Sequence, residues 1–267
     1  MKSAITLSLV SEAIGGPFVF WHDTLAAARH AMDLGFDAME IFAPDAQSVL
    51  DLKWQSIAPN LPIAALGTGA GWVKHRLLLT SPEASERKKA IEFVRSFLEV
   101  GGELGAKVII GSMQGRSNNG LNRTEALKHL RSSLEELDRY SSQYGSELLY
   151  EPLNRYETDL CNTIECGSQL IEGLTSTKLL ADLFHMNLEE ASVEDSLRDF
   201  RDQIGHIHFA DSNRHAIGFG HIVIGKIMET LQAVNYRGYL SAEILPLPNA
   251  LEAARKTIES FRKYSQP

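Results

Sequence analysis

The sequence predicts an α/β protein folded as a single (β/α)8 TIM barrel over residues 1–267. Three observations carry that expectation. Short apolar runs of strand type alternate with longer stretches of helical spacing along the whole chain. Eight such strand–helix pairs can be placed. The length of 267 residues suits a barrel, which typically takes about 250.

The elements follow in order. Ala4–Val10 reads as the first strand, and His22–Leu34 has helical spacing that stops at Gly35. Phe36–Phe42 is the second strand, closed by Pro44, followed by a helix near 46–57 and a third strand at Leu61–Leu66. Ser81-Pro82-Glu83 predicts a helix start, with a cap, a first-turn proline and an acid at the positive helix end. That helix runs to about Leu104, and strand four is Lys107–Ile110. A polar loop over 111–120, with a turn at Asn118-Asn119-Gly120, leads into a helix from Arg123 to Tyr144. Glu147–Tyr150 is the fifth strand, ended by Pro152, which lacks the donor a central strand needs. Helices near 163–173, 193–203, 225–234 and 251–264 alternate with strands at Lys178–Asp182, Gly205–Phe209 and Tyr239–Glu243. An open doubly wound sheet is the competing architecture. Its usual dinucleotide-binding form expects a glycine-rich phosphate turn after strand one, which is missing here.

Composition narrows the function. At 44% hydrophobic and 22% charged, the chain matches an ordinary globular protein. No apolar run approaches the about 18 residues of a membrane span. Met1-Lys2-Ser3 enters the first strand directly, so no signal peptide is expected. The net charge of −8 argues against broad binding to nucleic acid. Cys161 and Cys166 are read as reduced thiols, and a cytoplasmic location is expected, although spacing alone leaves a bridge open.

The chemistry gathers at strand ends. Glu151, Asp182, His208 and Glu243 stand at or near the C-terminal ends of four successive strands. In a parallel barrel those ends converge on one face. A buried carboxylate is costly unless paired or bound to a cation, so three carboxylates and one imidazole read as a divalent metal site. Each residue alone could be a satisfied polar group at a strand end; four in succession favour metal. Oxygen donors with one imidazole suit Mn²⁺ first, with Mg²⁺ or Co²⁺ open, better than a thiolate-rich zinc site.

The runs Glu151-Pro152-Leu153-Asn154-Arg155-Tyr156-Glu157-Thr158, Asp182-Leu183-Phe184-His185-Met186-Asn187 and His206-Ile207-His208-Phe209-Ala210-Asp211-Ser212-Asn213-Arg214, together with Glu243, resemble the sugar isomerase/epimerase family with a xylose-isomerase-like barrel. Within it they resemble the ketose 3-epimerases related to D-tagatose 3-epimerase. The resemblance is strong in the C-terminal half and rests mainly on barrel pattern before it. It implies that Glu151, Asp182, His208 and Glu243 hold the metal. It further implies that Glu151 and Glu243 exchange the substrate proton from opposite faces, inverting the carbon beside a carbonyl through a metal-stabilised enediolate. Glu157, His185 and Arg214 match substrate-contacting positions; a solvated charge or a packed histidine is the alternative for each. The expected partner is a small sugar or sugar acid, with no nucleic acid and no membrane, and a homo-oligomer is open.

Other residues carry less. His206 is read as facing the outer layer. His215 and His221 fall in a loop, and Phe18, Phe20, Trp21 and Trp72 are either pocket walls or core. Arg116, just beyond strand four, could pair with a substrate carboxylate or be loop surface. Competing functions are an aldose–ketose isomerase or a dehydratase on the same barrel, a DNA-repair phosphodiesterase, and a non-catalytic sugar-binding protein. The phosphodiesterase should need a richer ligand cluster and a basic track.

Overall fold

A computed structural model describes residues 1–117 and 120–265; Asn118 and Asn119 of the expected turn lie outside them. Nine parallel strands form the sheet: β1 (Lys2–Ser8), β2 (Phe20–Trp21), β3 (Ala38–Phe42), β4 (Ile63–Gly67), β5 (Lys107–Ile110), β6 (Leu148–Tyr150), β7 (Thr177–Asp182), β8 (Ile204–His208) and β9 (Tyr239–Ala242). From β3 to β9 each strand pairs with the next, and β9 returns to β1, closing eight strands into a barrel. The two-residue β2 is additional. It pairs with Leu7 and Ser8 of β1, beyond the Lys2–Ile5 segment that pairs with β9. The barrel expected from alternation is thus the fold.

Its strands are buried on both faces, as a parallel sheet wrapped by helices requires. Met39 and Ile41 of β3 face the helices and join the large outer core. Their alternates face inward. Ala65, Ile109, Leu149 and Leu180, from four adjacent strands, form a separate apolar cluster inside the barrel. Residues one pleat further along these strands reach the C-terminal mouth, so the apolar layer is the floor beneath the polar groups there.

Local sequence explains the helix bounds. Arg123–Tyr144 forms as expected, closed at its start by a reciprocal box between Asn122 and Glu125. The helix expected from Ser81 begins at Ala84. Ser81 Oγ instead accepts the Glu83 N–H at 3.3 Å, and Arg87 binds the Ser81 and Pro82 carbonyls, so these residues form a turn before the helix. The helix expected near 46–57 is broken into Ala46–Asp51 and Trp54–Ile57, with Lys53 at φ 50° between them. A helix absent from the expectation, Leu183–Glu189, follows β7 directly and is capped by Asp182.

Cys161 and Cys166 are joined in a disulfide, with Cα atoms 5.3 Å apart, which corrects the reading of free thiols. Thr163 caps the helix Ile164–Leu170 by accepting the Cys166 N–H. That turn folds Cys166 back onto Cys161. No helix among the described residues is long and apolar enough to cross a membrane.

Candidate metal and active site

Glu151 follows β6 and is held in line by its N–H, which donates to the Ile110 carbonyl at 3.0 Å. Its own carbonyl accepts from Gln114 Nε2 at 2.9 Å. Asp182 ends β7, His208 ends β8, and Glu243 lies just beyond β9. Their donor atoms all lie within 4.8 Å of one another. His208 Nδ1 stands 3.4 Å from Asp182 Oδ2, 3.5 Å from Glu151 Oε1 and 3.6 Å from Glu243 Oε2. These separations are long for hydrogen bonds and leave room for a cation among the four atoms. Glu151 Oε1 is buried without a hydrogen-bond partner, a costly state that a cation would relieve. The donor set fits a hard or borderline divalent ion.

The charges of the cluster are unequal. Burial pushes the Glu243 carboxyl up to about 7, against the pull of His208 and Arg214. Burial would raise Asp182 as well, but His185, His208 and Arg214 hold it well below the usual carboxylate range. Burial disfavours charge on His208, yet Glu40, Glu243 and its hydrogen bonds raise it well above an ordinary imidazole. A ligand must shed its proton before it can hold a metal. Below pH 7, Glu243 and His208 both retain theirs, so uptake of a divalent cation by the metal-free protein is expected to tighten as pH rises through 7. The gain should be about tenfold per pH unit for each proton displaced. Competition titrations at pH 6 and pH 8 check it; equal affinity would contradict it.

His185 lies in the helix after β7 and is buried. Asn154 Nδ2, 2.7 Å away, and the Asn154 backbone N–H, 3.3 Å away, can both donate to His185 Nδ1. The ring proton then belongs on Nε2, which points at Glu151 Oε1 (3.7 Å) and Asp182 Oδ2 (3.6 Å) and has no hydrogen-bond partner. A donor held ready beside the cluster is the result. The other amide proton of Asn154 reaches Glu157 Oε1 at 3.0 Å.

Arg214 sits on the opposite side of the cavity at φ 58°. Its Nη2 donates to Glu243 Oε2 at 2.6 Å, its Nη1 is 3.5 Å from Glu157 Oε1, and its guanidinium lies 5.0 Å from the centre of the Phe184 ring. Asp211 secures this loop by accepting N–H groups from Ser212, Gly218 and Ile222. The structure therefore brings all seven candidate residues around one cavity of about 320 Å³.

Phe18 is a wall of that cavity, with Trp21 packed edge-on behind it. Phe20 is core. Trp72 and Arg116 line an adjoining chamber of about 290 Å³ that shares Ser112, Leu153 and Glu157 with the first. Arg116 uses Nη1 on the Tyr156 carbonyl. His221 bonds Ser212 within its loop.

Two assignments change. Residues two apart on a strand share a face, so His206 points inward with His208, and its outward placement is corrected. Glu40 of β3 was not singled out at all. It is buried, 2.9 Å from His206 Nε2 and 3.2 Å from His208 Nε2. One signal was available: Glu40 is the lone charge within the apolar run Ala38-Met39-Glu40-Ile41-Phe42.

Gly111, next to the cluster, has a defined reason. A Cβ there would lie 2.5 Å from Glu151 Oε2. Gly111→Ala is expected to displace that carboxylate, weaken cation uptake and destabilise the fold by about 1–3 kcal/mol. Metal titration and thermal melting measure the two effects.

The chain belongs to the xylose isomerase-like TIM barrel family, whose model matches residues 28–264. Among its curated relatives is a 3-dehydro-D-guloside 4-epimerase of Escherichia coli K12, 27% identical over 241 residues, covering 84% of this chain and 88% of the relative. A D-psicose 3-epimerase of Enterocloster bolteae is 29% identical over 242 residues, covering 83% and 78%. The crystal structure of D-psicose 3-epimerase with D-tagatose from Clostridium cellulolyticum H10 superposes with a TM-score of 0.80 at 19% identity, over 100% of each chain. That last likeness concerns the fold.

Proposed function

We propose that this protein is a divalent-metal-dependent epimerase that inverts the carbon next to the carbonyl of a ketose or keto-sugar acid. The observation that carries the reading is the pairing of Glu151 and Glu243, delivered by β6 and β9 on either side of Asp182 and His208 and within reach of one cation. The two relatives' names specify different carbons. A 3-epimerase of a 2-ketose and a 4-epimerase of a 3-keto sugar nevertheless invert the same kind of carbon, one beside a carbonyl.

Glu151, Asp182, His208 and Glu243 would hold the metal, with Mn²⁺ preferred and Mg²⁺ or Co²⁺ as substitutes. Bound there, a divalent cation supplies stabilisation of negative charge on the substrate oxygens. The remaining work falls to side chains. One glutamate accepts the proton from the carbon, and the other returns a proton to the opposite face, so no redox partner is consumed. His185 Nε2–H donates to the oxygen on which charge develops. Arg214 and Glu157 bind hydroxyls and fix the sugar's orientation. The Arg214–Glu243 contact must loosen for Glu243 to take a proton, and a substrate oxygen is the natural replacement partner for the guanidinium.

The test is product analysis. Metal-loaded protein is incubated in heavy water with ketoses, keto-glycosides and keto-sugar acids. Epimers carrying deuterium at the inverted carbon are expected. An aldose product would point to isomerisation, and loss of water to dehydration. No turnover of any sugar despite tight sugar binding would favour a binding protein.

A further inference from the structure

Three groups outside the proposed catalytic set meet inside the barrel. Glu40 comes from β3, across the barrel from β8, and is buried with both oxygens engaged. Oε2 lies 2.9 Å from His206 Nε2, and Oε1 lies 3.2 Å from His208 Nε2. His206 is fully buried, and its Nδ1 has no hydrogen-bond partner among the described residues. A lone pair without a partner is a smaller loss than an N–H without one, so the His206 proton belongs on Nε2, facing Glu40. The two imidazoles are nearly perpendicular, with an interplanar angle of 87°. Each therefore reaches a different oxygen of the one carboxylate.

We propose that Glu40 is a positioning residue for the metal site: it accepts the Nε2–H of His208 and so commits His208 Nδ1, the nitrogen facing Glu151, Asp182 and Glu243, to the cation, while His206 clamps its second oxygen. The proposal rests on the metal reading of those four residues. A ring nitrogen can hold a cation only through a free lone pair, so the proton must sit on the other nitrogen. An acceptor on that side selects the tautomer and fixes the ring plane. Glu40 is the acceptor within reach of His208 Nε2. Its negative charge also makes the imidazole a better donor to the metal. His206 prevents the carboxylate from swinging toward the carboxylate-rich mouth, where it would compete as a ligand.

The test compares wild type with Glu40→Gln and Glu40→Leu, measuring Mn²⁺ affinity and stoichiometry, melting of the metal-free protein, and the nitrogen-15 NMR signature of His208. Gln keeps shape but can accept through only one atom and carries no charge; Leu removes the acceptor and keeps the site packed. Both variants are expected to fold and to bind Mn²⁺ about 10–100-fold more weakly. In the NMR spectrum, the single Nε2–H form of His208 in wild type should give way to mixed tautomers. Unchanged affinity and tautomer in both folded variants would overturn the proposal and leave the metal reading intact. Two ions per wild-type chain, the second lost in His206→Ala, would overturn it in favour of a second cation held by Glu40, His206 and His208. A wild-type chain that takes up no divalent ion would overturn both this role and the metal reading.

Discussion

Glu243→Gln is expected to lower turnover by about 10²–10⁴-fold in both directions. Each direction needs one group to take a proton and another to give one, so removing either base stops both. Glu243 has the stronger physical signature of the two. Its carboxyl, pushed up to about 7 by burial, can hold or release a proton near neutrality, where a general base is most effective. The amide of Gln can do neither. Its oxygen can still accept from Arg214, whose Nη2 is 2.6 Å from Glu243 Oε2, so the cavity should keep its shape. Forward and reverse rates, measured on each epimer with metal content recorded alongside, decide the matter. A variant that binds metal normally and retains one direction would contradict the two-base scheme.

Asp182→Asn is the second large effect, and it falls on metal binding. The two oxygens of Asp182 have separate tasks. Oδ1 accepts the Phe184 N–H at 2.7 Å and caps the helix Leu183–Glu189, while Oδ2 faces His208 Nδ1 at 3.4 Å. Asn can keep the cap through its oxygen, but then its NH₂ points at the cation position. A donor there repels a cation, and the charge is gone as well. Loss of affinity should exceed the about 10–100-fold typical of an outer-shell change, with circular dichroism unchanged. Full metal content in the variant would remove Asp182 from the ligand set.

Some of this was legible in the chain before any coordinates, and the reasons are physical. Glu151, Asp182, His208 and Glu243 are readable because barrel topology brings successive strand ends together whatever the intervening helices do. Helix Arg123–Tyr144 is readable because Asn122 and Glu125 form a local box that needs no tertiary partner. The failures are of another kind. Ser81 has the composition of a cap, but Arg87 draws its carbonyl into a turn. Helix Leu183–Glu189 is concealed because its cap is also a candidate metal ligand, and one residue was given one role. Glu40 was passed over because its partners stand 166 and 168 residues away, a separation at which local pattern carries no information. His206 was a plain error of strand period.

The cavity draws its two sides from different halves of the chain. The four candidate ligands all come from β6 to β9, whereas Thr6, Phe18, Phe42, Thr68, Ile109 and Ser112 bring wall surface from the first half. A wall change reshapes the space offered to a sugar without touching the groups that would move its proton. Over descent, sugar preference can therefore drift in one half while the reaction is inherited in the other. Glu40 crosses that division, reaching from β3 to His208. On this account it should tolerate less variation than any other inward-facing residue of the first five strands.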